Sequence, residues 1–551
     1  MRRKIFTITV LLLSYCTTYS QISTNEEPIS FITNIPTLRG ENTLKTLPSL
    51  DMEKIKQEDK EDEANGIPPR FGYQHKVNFD LENSGEWVVL PDGDKIWRLI
   101  ISCPDALSIN LLYDKFWLPD GAKFFIYSND QKHYIGAFTS VNNKGNRNEI
   151  QGFATGLVYS DQITLEYYLP KDIRETGVIS IAYVVQGYKY ILVPNKLYGQ
   201  SGNCNININC TQGQNWQDEK NAVALILVNG NRYCSGSLVN TTANDRRPLF
   251  LTADHCLGGW GNSVKHDAIT APNLNHWSFY WHYESPNCTS TFDPPFISTS
   301  GATVVANNQD SDFALLQLTE NPRNKNGVTP YYLGWDNSGN AGTDGVGIHH
   351  PSGDIKKICL TNQIQNQSTA VNFGSFILAA NTSWRTVWNA GTTEGGSSGS
   401  SLINENSHII GQLAGGSAGC NNLTGPDFYG KFSVSWNGNG ATDNRRRLSD
   451  WLDPNNTNAT ILNGISCPTI VNFISQPPVT SNLTLVSCGD INIQTVIITG
   501  NNVTVTLDAR GNINVQDVQV KNGATLILKA GGKVNIIKNF KVDLGSKWKT
   551  L

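Results

Sequence analysis

Short apolar or alternating runs, separated by turn signals, dominate residues 70–196. The runs contain many Ile, Leu, Val, Phe and Tyr residues, and segments such as Pro91-Asp92-Gly93 separate them. Residues of these types are typical of strands, whereas Pro, Asp and Gly are typical of turns. The spacing predicts a β-sandwich in this region. The clearest runs are 97–101, 123–127, 162–168 and 179–185.

Residues 197–466 show a similar strand-rich pattern, with apolar runs at 221–228, 248–252, 313–318 and 408–413. One late segment, Arg445–Leu452, has a helical pattern and is stopped by Asp453-Pro454, because the residue before a proline is disfavoured in a helix. We expect an all-β domain that ends in a helix.

Residues 467–551 show a third sequence pattern. Short alternating runs recur at a nearly regular interval between turns rich in Asn and Gly. This pattern predicts a small β-solenoid or a module of stacked hairpins. Adhesion, handling during secretion and passive capping of the preceding domain all fit its composition.

The first 20 residues combine the basic start Met1-Arg2-Arg3-Lys4 with an apolar segment too short to span a bilayer. They are interpreted as a signal peptide, cut near Ser20-Gln21. A lipid-modified Cys16 is the alternative, and the bulky Tyr15 before it disfavours that reading. Residues 21–69 are polar and acidic, so we expect a disordered linker or a lone solvated helix there.

The composition is that of an ordinary soluble protein, with 551 residues, a net charge of -4 and 39% hydrophobic residues. This length predicts roughly three to four domains. Nucleic acid is not an expected partner, because nothing in the charge favours a polyanion. No later run has the roughly 18 apolar residues of a membrane helix. A signal peptide implies secretion, and disulfides are then permitted among the 11 cysteines.

Three polar residues at the ends of apolar runs are candidates for catalysis. His255 follows one such run, Asp312 precedes another, and Ser398 lies in the glycine-flanked turn Gly395–Ser400. Each alone is ordinary, since buried histidines, turn aspartates and Gly/Ser loops are common. Together they supply a nucleophile, a general base and a residue that orients the base.

The motifs around these residues resemble those of trypsin-like serine proteases, and other segments are similar to the bacterial lysyl endopeptidases. The resemblance covers about residues 197–466, and residues 70–195 resemble the pro-region of such enzymes less specifically. It implies a two-β-barrel serine endopeptidase made as a precursor. The catalytic motifs are Thr252-Ala253-Asp254-His255-Cys256, Ser311-Asp312-Phe313-Ala314-Leu315-Leu316 and Gly396-Ser397-Ser398-Gly399-Ser400. The lysyl endopeptidase segments are 204–210, 234–247, 348–351 and 447–454.

The resemblance implies a role for each catalytic residue. His255 would accept the proton of the Ser398 hydroxyl, and Asp312 would fix the imidazole tautomer. The amides of Gly396 and Ser398 would form the oxyanion hole. Ser397 and Ser400 are the alternative nucleophiles, and the motif register favours Ser398. No metal or cofactor is expected, and we interpret His349-His350 as packing residues.

Lysine specificity requires a carboxylate at the base of the substrate pocket, because an unpaired buried ammonium is costly. The usual trypsin position for it, six residues before the serine, is Thr392. The resemblance assigns the carboxylate instead to Asp427, with Ala414 and Gly415 in the pocket wall that pairs with the substrate backbone. The lysyl branch can carry a histidine where this chain has Ala414, so cleavage after both Lys and Arg is an alternative.

By the same resemblance, Cys204 pairs with Cys420, Cys210 with Cys288 and Cys234 with Cys256, which leaves Cys359 over. Cys467 and Cys488 form a further candidate pair, and Cys103 stands alone upstream. Lys196 precedes the expected mature start, where a lysine-specific enzyme could cleave its own precursor and leave Leu197 first.

The expected domains are therefore residues 1–20, 21–69, 70–196, 197–466 and 467–551. The expected partners of this secreted monomer are peptides with Lys before the scissile bond and its own pro-region. A rival interpretation from another class is a surface-adhesion protein, in which residues 197–466 are a passive protease scaffold.

Overall fold

A computed structural model describes residues 26–33, 35, 38, 40, 42–191, 201–258, 274–289, 296–325 and 327–551. The described chain is mainly β, as the sequence predicted. Its α-helices are Ile29–Ile32, Met52–Ala64, Phe432–Asn437 and Ser449–Leu452. Its 3-10 turns are Ser140–Asn142, Thr211–Gly213, Glu219–Ala222, Asp254–Leu257, Leu274–His276, Pro322–Asn324, Pro351–Gly353, Gly438–Gly440 and Asn444–Arg446. No helix among these residues is long and apolar enough to cross a membrane.

Two sheets of the N-terminal region pack face to face around one core. Alternate residues of their strands are buried, among them Leu99, Phe124 and Leu165. The predicted β-sandwich is therefore present. The larger sheet contains Leu44–Thr46, Glu86–Val89, Lys95–Ser102, Lys123–Ser128, Tyr134–Phe138 and Gln162–Leu169. The smaller contains Gly72–Asp80, Ser108–Trp117 and Val178–Gly187, and Gly145–Asn146 pairs with Glu149–Ile150.

The acidic segment 21–69 contains the helix Met52–Ala64, and, against the expectation of a linker, its strand Leu44–Thr46 belongs to the larger sheet of the sandwich. Asp51 caps the helix by accepting a hydrogen bond from the Lys54 amide at 3.1 Å, and Ile55 is its one buried residue. Of the two expected states, the structure has the helix, but it is not a lone one. The Arg70 guanidinium bonds to Glu58 and Asp59 at 3.0 and 2.9 Å. Charged contacts rather than an apolar face hold this helix, so its sequence carries little periodic signal.

Two sheets form the two half-barrels of the central region. The first contains Val223–Val228, Arg232–Leu238, Leu249–Thr252, Ser278–Trp281, Ile297–Ser300, Ala302–Asn308 and Phe313–Leu318. The second contains Ile206–Asn207, Gly334–Asp336, Gly345–His349, Lys357–Thr361, Ile364–Gln367, Ser383–Thr386, Ser401–Asn404, His408–Gly416, Asp427–Lys431 and Ile461–Leu462. Short pairs join Tyr331–Tyr332 to Ile465–Ser466 and Val371–Asn372 to Ile377–Leu378.

The late helix differs from the sequence expectation. Arg445–Leu452 is not one helix: a 3-10 turn ends at Arg446, Arg447 is extended with φ -137° and ψ 143°, and one helical turn follows at Ser449–Leu452. The Leu448 amide donates to the Ser435 carbonyl at 3.0 Å, which replaces a bond within a continuous helix. The helix Phe432–Asn437 was not expected.

The C-terminal region is a parallel β-solenoid, one of the two predicted forms. Ile491 lies beside Ile513, and Ile513 beside Val534, so each coil repeats the one before it. The inward residues form a single apolar core. One face contains Ile470–Ile474, Asp490–Thr499, Ile513–Lys521, Val534–Lys538 and Lys541–Val542. The other contains Leu483–Ser487, Thr504–Ala509, Thr525–Ala530 and Lys547–Thr550.

Four disulfides are present in the described chain, and they join Cys204 to Cys420, Cys210 to Cys288, Cys234 to Cys256 and Cys467 to Cys488. Cys103 and Cys359 are free and buried. Residues 1–25 and 192–200, which include the expected signal peptide and Lys196, lie outside the described residues.

Candidate active site

His255 and Asp312 meet at the edge of the first half-barrel. His255 lies in the turn Asp254–Leu257, directly after the strand Leu249–Thr252. Asp312 precedes the neighbouring strand Phe313–Leu318. Its carboxylate accepts two hydrogen bonds from His255, one from Nδ1 at 2.7 Å and one from the backbone amide at 2.8 Å. This arrangement fixes the imidazole tautomer and leaves Nε2 as the nitrogen that can accept a proton.

Burial dominates the electrostatics behind this pair. It raises the pKa of Asp312, while the charge and hydrogen bonds of His255 act in the opposite direction. Asp254 lies alongside, and burial together with the Asp312 charge raises its pKa to about 7. An Asn307 amide donates to the Asp254 carboxyl at 2.6 Å. A second carboxyl thus lies beside the His255–Asp312 pair, a feature that sequence reasoning did not single out.

The turn that contains Ser398 depends on two glycines in the left-handed region. Gly396 has φ +97°, and a Cβ there would lie 2.5 Å from the Tyr233 ring. Gly399 has φ +83°, and a Cβ there would lie 2.2 Å from Thr252 Oγ1. The turn therefore packs directly on the first half-barrel. The Ser235 amide donates to the Ser398 carbonyl at 2.8 Å, which holds Ser398 next to the Cys234–Cys256 disulfide beside His255.

The three serines of the turn differ in their surroundings. Ser397 is fully buried, and its hydroxyl bonds to His349 Nδ1 at 2.7 Å and accepts from the Glu394 amide at 3.1 Å. Ser400 is also fully buried. Ser398 alone of the three is partly exposed, and it lines a cavity of about 1320 Å³. The side chains of the two alternative nucleophiles are therefore enclosed.

Asp427 lines the same cavity and is 1% exposed. Its Oδ2 accepts hydrogen bonds from Trp388 Nε1 at 2.6 Å and Thr393 Oγ1 at 2.5 Å. Burial raises the pKa of Asp427, and these bonds oppose the rise. Sequence reasoning missed both donors, although Thr393 follows the expected trypsin position, Thr392.

The cavity wall contains Ala414 and Gly415, which lie near the C-terminal end of the strand His408–Gly416. A Cβ at Gly415 would lie 2.9 Å from the Phe373 ring. Phe373 stacks on Phe376 with centroids 4.8 Å apart, and Phe376 stacks on the His255 imidazole at 4.9 Å. Sequence reasoning noted the absence of a histidine at 414 but missed this aromatic stack.

Residues 65–71 of the N-terminal region run across the cavity. The Ser375 amide donates to the Asn65 carbonyl at 3.2 Å, and the Tyr233 amide donates to the Pro69 carbonyl at 3.2 Å. Gly66, Ile67, Pro68 and Pro69 line the cavity together with Ser398. The segment thus extends from the aromatic stack beside His255 to the strand Arg232–Leu238.

The adjacent histidines point to different partners. His349 Nδ1 bonds to Ser397, whereas His350 Nδ1 contacts the Asp354 carbonyl at 2.9 Å. Both side chains are fully buried. Within the described ranges, no cluster of three or more His, Cys, Asp or Glu side chains could hold a metal ion.

Comparison with known proteins agrees with the resemblance drawn from the motifs. Residues 198–430 match a family model described as the C-terminal domain of lysyl endopeptidase. A lysyl endopeptidase of Pseudomonas aeruginosa is 27% identical over 368 residues, which cover 63% of this chain and 72% of that protein. These matches confirm the resemblance to trypsin-like serine proteases of the lysyl endopeptidase type.

Two solved structures match part of this chain. A thermostable serine protease, AL20, from an extremophilic microorganism has a TM-score of 0.26 and 14% identity, covering 39% of this chain and 92% of its own. Deg5 also has a TM-score of 0.26 and 14% identity, covering 40% of this chain and 87% of its own.

Proposed function

We propose that this serine endopeptidase hydrolyses peptide bonds on the carboxyl side of lysine through an acyl-enzyme formed on Ser398. The observation that carries the proposal is one cavity lined by a partly exposed serine, by the buried Asp427 and by Phe373, which belongs to the aromatic stack on His255. Such a cavity accommodates both the scissile carbonyl and a long cationic side chain.

In the first half-reaction, His255 Nε2 accepts the Ser398 proton as Oγ attacks the carbonyl carbon of the substrate. The amides of Gly396 and Ser398 donate to the developing oxyanion. Imidazolium then returns the proton to the leaving amine, and the acyl-enzyme remains. Water attacks the ester in the second half-reaction, again with His255 as base, and releases the acid and Ser398. Asp312 keeps the imidazole oriented through both steps.

The preference for lysine rests on Asp427. A lysine ammonium that enters the cavity loses its hydration, and a buried carboxylate compensates for that loss. Trp388 and Thr393 hold the carboxylate through Oδ2. The proposal of strict lysine specificity competes with cleavage after both Lys and Arg. Paired peptide substrates that differ only in Lys or Arg before the scissile bond separate the two, and comparable turnover of both contradicts strict specificity.

Substitution of the nucleophile tests the reaction itself. We expect Ser398→Ala to lower kcat by about 10⁶, the magnitude typical of loss of a triad serine. Ser400→Ala is the matched control, because its hydroxyl is enclosed; it keeps most of the activity. Indistinguishable hydrolysis by the wild-type and Ser398→Ala proteins would favour the adhesion alternative.

We also propose that the chain is a secreted precursor in which residues 65–71 block the substrate cavity until cleavage at Lys196. The Arg232 guanidinium donates to the Pro68 carbonyl at 2.5 Å and to Asp62 at 2.7 Å. Arg70 anchors the same segment through Glu58 and Asp59. These contacts flank Pro68 and Pro69. They support the proposal that residues 65–71 leave the cavity only when these contacts are broken.

A precursor that cannot be cleaved at Lys196 tests whether residues 65–71 block the cavity. We expect Lys196→Ala to remain nearly inactive on peptides, and addition of Arg70→Ala to restore part of the activity without cleavage. Arg147→Ala is the matched control, because Arg147 pairs with Glu175 on the surface, where the two side chains are 50% and 42% exposed. Full activity of the intact Lys196→Ala protein contradicts the proposal.

A further inference from the structure

Ser397 lies between the two residues whose amides are the proposed oxyanion donors. Among the described residues, the amides of Gly396 and Ser398 make no hydrogen bond, whereas the Ser397 amide donates to the Glu394 carbonyl at 3.0 Å. The position of Ser397 therefore decides where the two flanking amides point.

The side chain of Ser397 is held by His349, from a different strand. The Ser397 hydroxyl and His349 Nδ1 are 2.7 Å apart, and both residues are fully buried. The same hydroxyl accepts from the Glu394 amide at 3.1 Å. Because the hydroxyl accepts that bond, it can donate its own proton to His349 Nδ1. His349 thus connects the turn to the strand Gly345–His349 of the second half-barrel.

A second contact fixes the opposite side of the turn. The His350 amide donates to Ser235 Oγ at 2.9 Å, and Ser235 Oγ donates to the Gly396 carbonyl at 2.9 Å. The peptide between Gly396 and Ser397 is thereby tied on its carbonyl side, while His349 ties the next side chain. Neighbouring residues of one strand end thus hold the turn at two points.

The contact between Ser397 and His349 is suited to a fixed hydrogen bond rather than to proton transfer. Burial, with a smaller effect of the Lys357 charge, lowers the pKa of His349 to about 3. The imidazole therefore remains neutral at pH 7. A neutral imidazole accepts the hydrogen bond of the Ser397 hydroxyl without placing a charge next to the oxyanion.

We propose that His349 is a positioning residue that holds the oxyanion turn through Ser397. This inference rests on the proposed function, because it concerns how the amides of Gly396 and Ser398 are aimed. The contact lies within the protease region and uses no residue near Lys196. The turn is accordingly formed before processing, so activation needs only removal of residues 65–71 from the cavity and no new N-terminus to build the turn.

Substitutions at both ends of the hydrogen bond test the inference in the active enzyme produced from the full-length chain. We expect His349→Ala and Ser397→Ala each to lower kcat about tenfold, less than the hundredfold or more typical of deleting a whole oxyanion donor. KM for a lysyl substrate should change less than twofold. The double variant should lose no more than either single variant, because both remove the same contact. His349→Asn, whose amide can reach the position of Nδ1, should restore most of kcat.

The binding of two ligands distinguishes a misplaced oxyanion turn from general damage to the active site. A peptide aldehyde with a terminal lysinal forms a tetrahedral adduct that needs the oxyanion amides, whereas n-butylamine needs only the pocket of Asp427. We expect His349→Ala to weaken the aldehyde about tenfold, in parallel with kcat, and to leave the amine unchanged. Equal weakening of both ligands, or unchanged kcat in His349→Ala, overturns the inference. Retained hydrolysis in Ser398→Ala would instead overturn the proposed function, which keeps the two failures distinguishable.

Discussion

Two glycines with nearly the same backbone conformation lie in very different surroundings. Gly399, in the turn that contains Ser398, has φ +83°, and Gly523, in a solenoid turn, has φ +81°. A Cβ at Gly399 would meet Thr252 Oγ1 at 2.2 Å and the Ser235 carbonyl at 2.6 Å, whereas the nearest atom to a Cβ at Gly523 is Asn501 Oδ1 at 3.0 Å. Distant segments enclose the first turn, while the second meets only the coil before it.

The difference shows how each region uses its sequence. In the solenoid, each coil repeats the pattern of its neighbour, and polar residues such as Asn492, Asn514 and Asn535 form ladders on the outside. In the half-barrels, polar residues such as Asp312, Asp427 and Ser397 are buried and hydrogen-bonded. Regular repetition builds the solenoid, whereas buried polar contacts between distant segments build the candidate site.

Alanine at the two glycines gives the largest contrast. We expect Gly399→Ala to reduce activity more than a hundredfold, because the added methyl displaces the turn from Thr252 and Ser235. Gly523→Ala adds about 1 to 2 kcal/mol of backbone strain and keeps full activity. Peptide hydrolysis and thermal unfolding of both variants measure the contrast. Similar activities in the two variants would mean that the turn containing Ser398 tolerates displacement.

The buried carboxyl of Asp254 makes the stability of the first half-barrel depend on pH. Its folded pKa of about 7 lies above the ordinary aspartate value of 3.8, so the folded state retains a proton that the unfolded chain releases. Stability is therefore lost as pH rises from about 4 to about 7. We expect Asp254→Asn to raise Tm by several degrees at pH 8 and not at all below pH 4.

Asp443 is the control for that measurement. It is a surface carboxyl whose pKa is lowered to about 2, mainly by hydrogen bonding to Arg445. Asp443→Asn should show no gain in Tm at pH 8. A pH-independent gain in Asp254→Asn would show that the buried carboxyl titrates normally.

The aromatic stack beside His255 should have a moderate effect. Removal of the Phe376 ring takes away a stacked partner at 4.9 Å, and such contacts contribute about 0.5 to 1.5 kcal/mol. We expect Phe376→Ala to lower kcat/KM about threefold to tenfold. Phe376→Leu, which fills the space without a ring, distinguishes stacking from packing: recovery of full activity with Leu would show that the ring face has no role.

The ladder on the solenoid should give the smallest effect. Asn514 donates to Asn492 and accepts from Asn535, each at 2.8 Å. Asn514→Ala should cost about 1 kcal/mol of stability and leave peptide hydrolysis unchanged. Thermal unfolding and kcat/KM measured on one preparation check both parts, and loss of activity would connect the solenoid to the site.

The sequence was sufficient for the broad architecture and for the order of the candidate catalytic residues. Strand periodicity is local, and motifs such as Thr252–Cys256 are contiguous, so both can be read without the fold. Trp388 and Thr393 could not be assigned to Asp427, because their contact joins segments far apart in sequence. Phe376 was missed for the same reason, since it reaches His255 only through a hairpin.

The remaining differences also have physical causes. Arg445–Leu452 has a helical pattern, but tertiary contacts of Leu448 with Ser435 break it into two turns. The helix Met52–Ala64 is stabilised through Arg70 rather than through an apolar face. In both segments, contacts from outside the local sequence decide the structure.

Labelling with a fluorophosphonate, followed by mapping of the modified residue, tests the central claim most directly. The reagent reacts with an activated serine hydroxyl, so the active enzyme should carry one label, on Ser398, and the His255→Ala variant should carry none. A label on Ser397 or Ser400, or equal labelling without His255, would contradict the proposed mechanism.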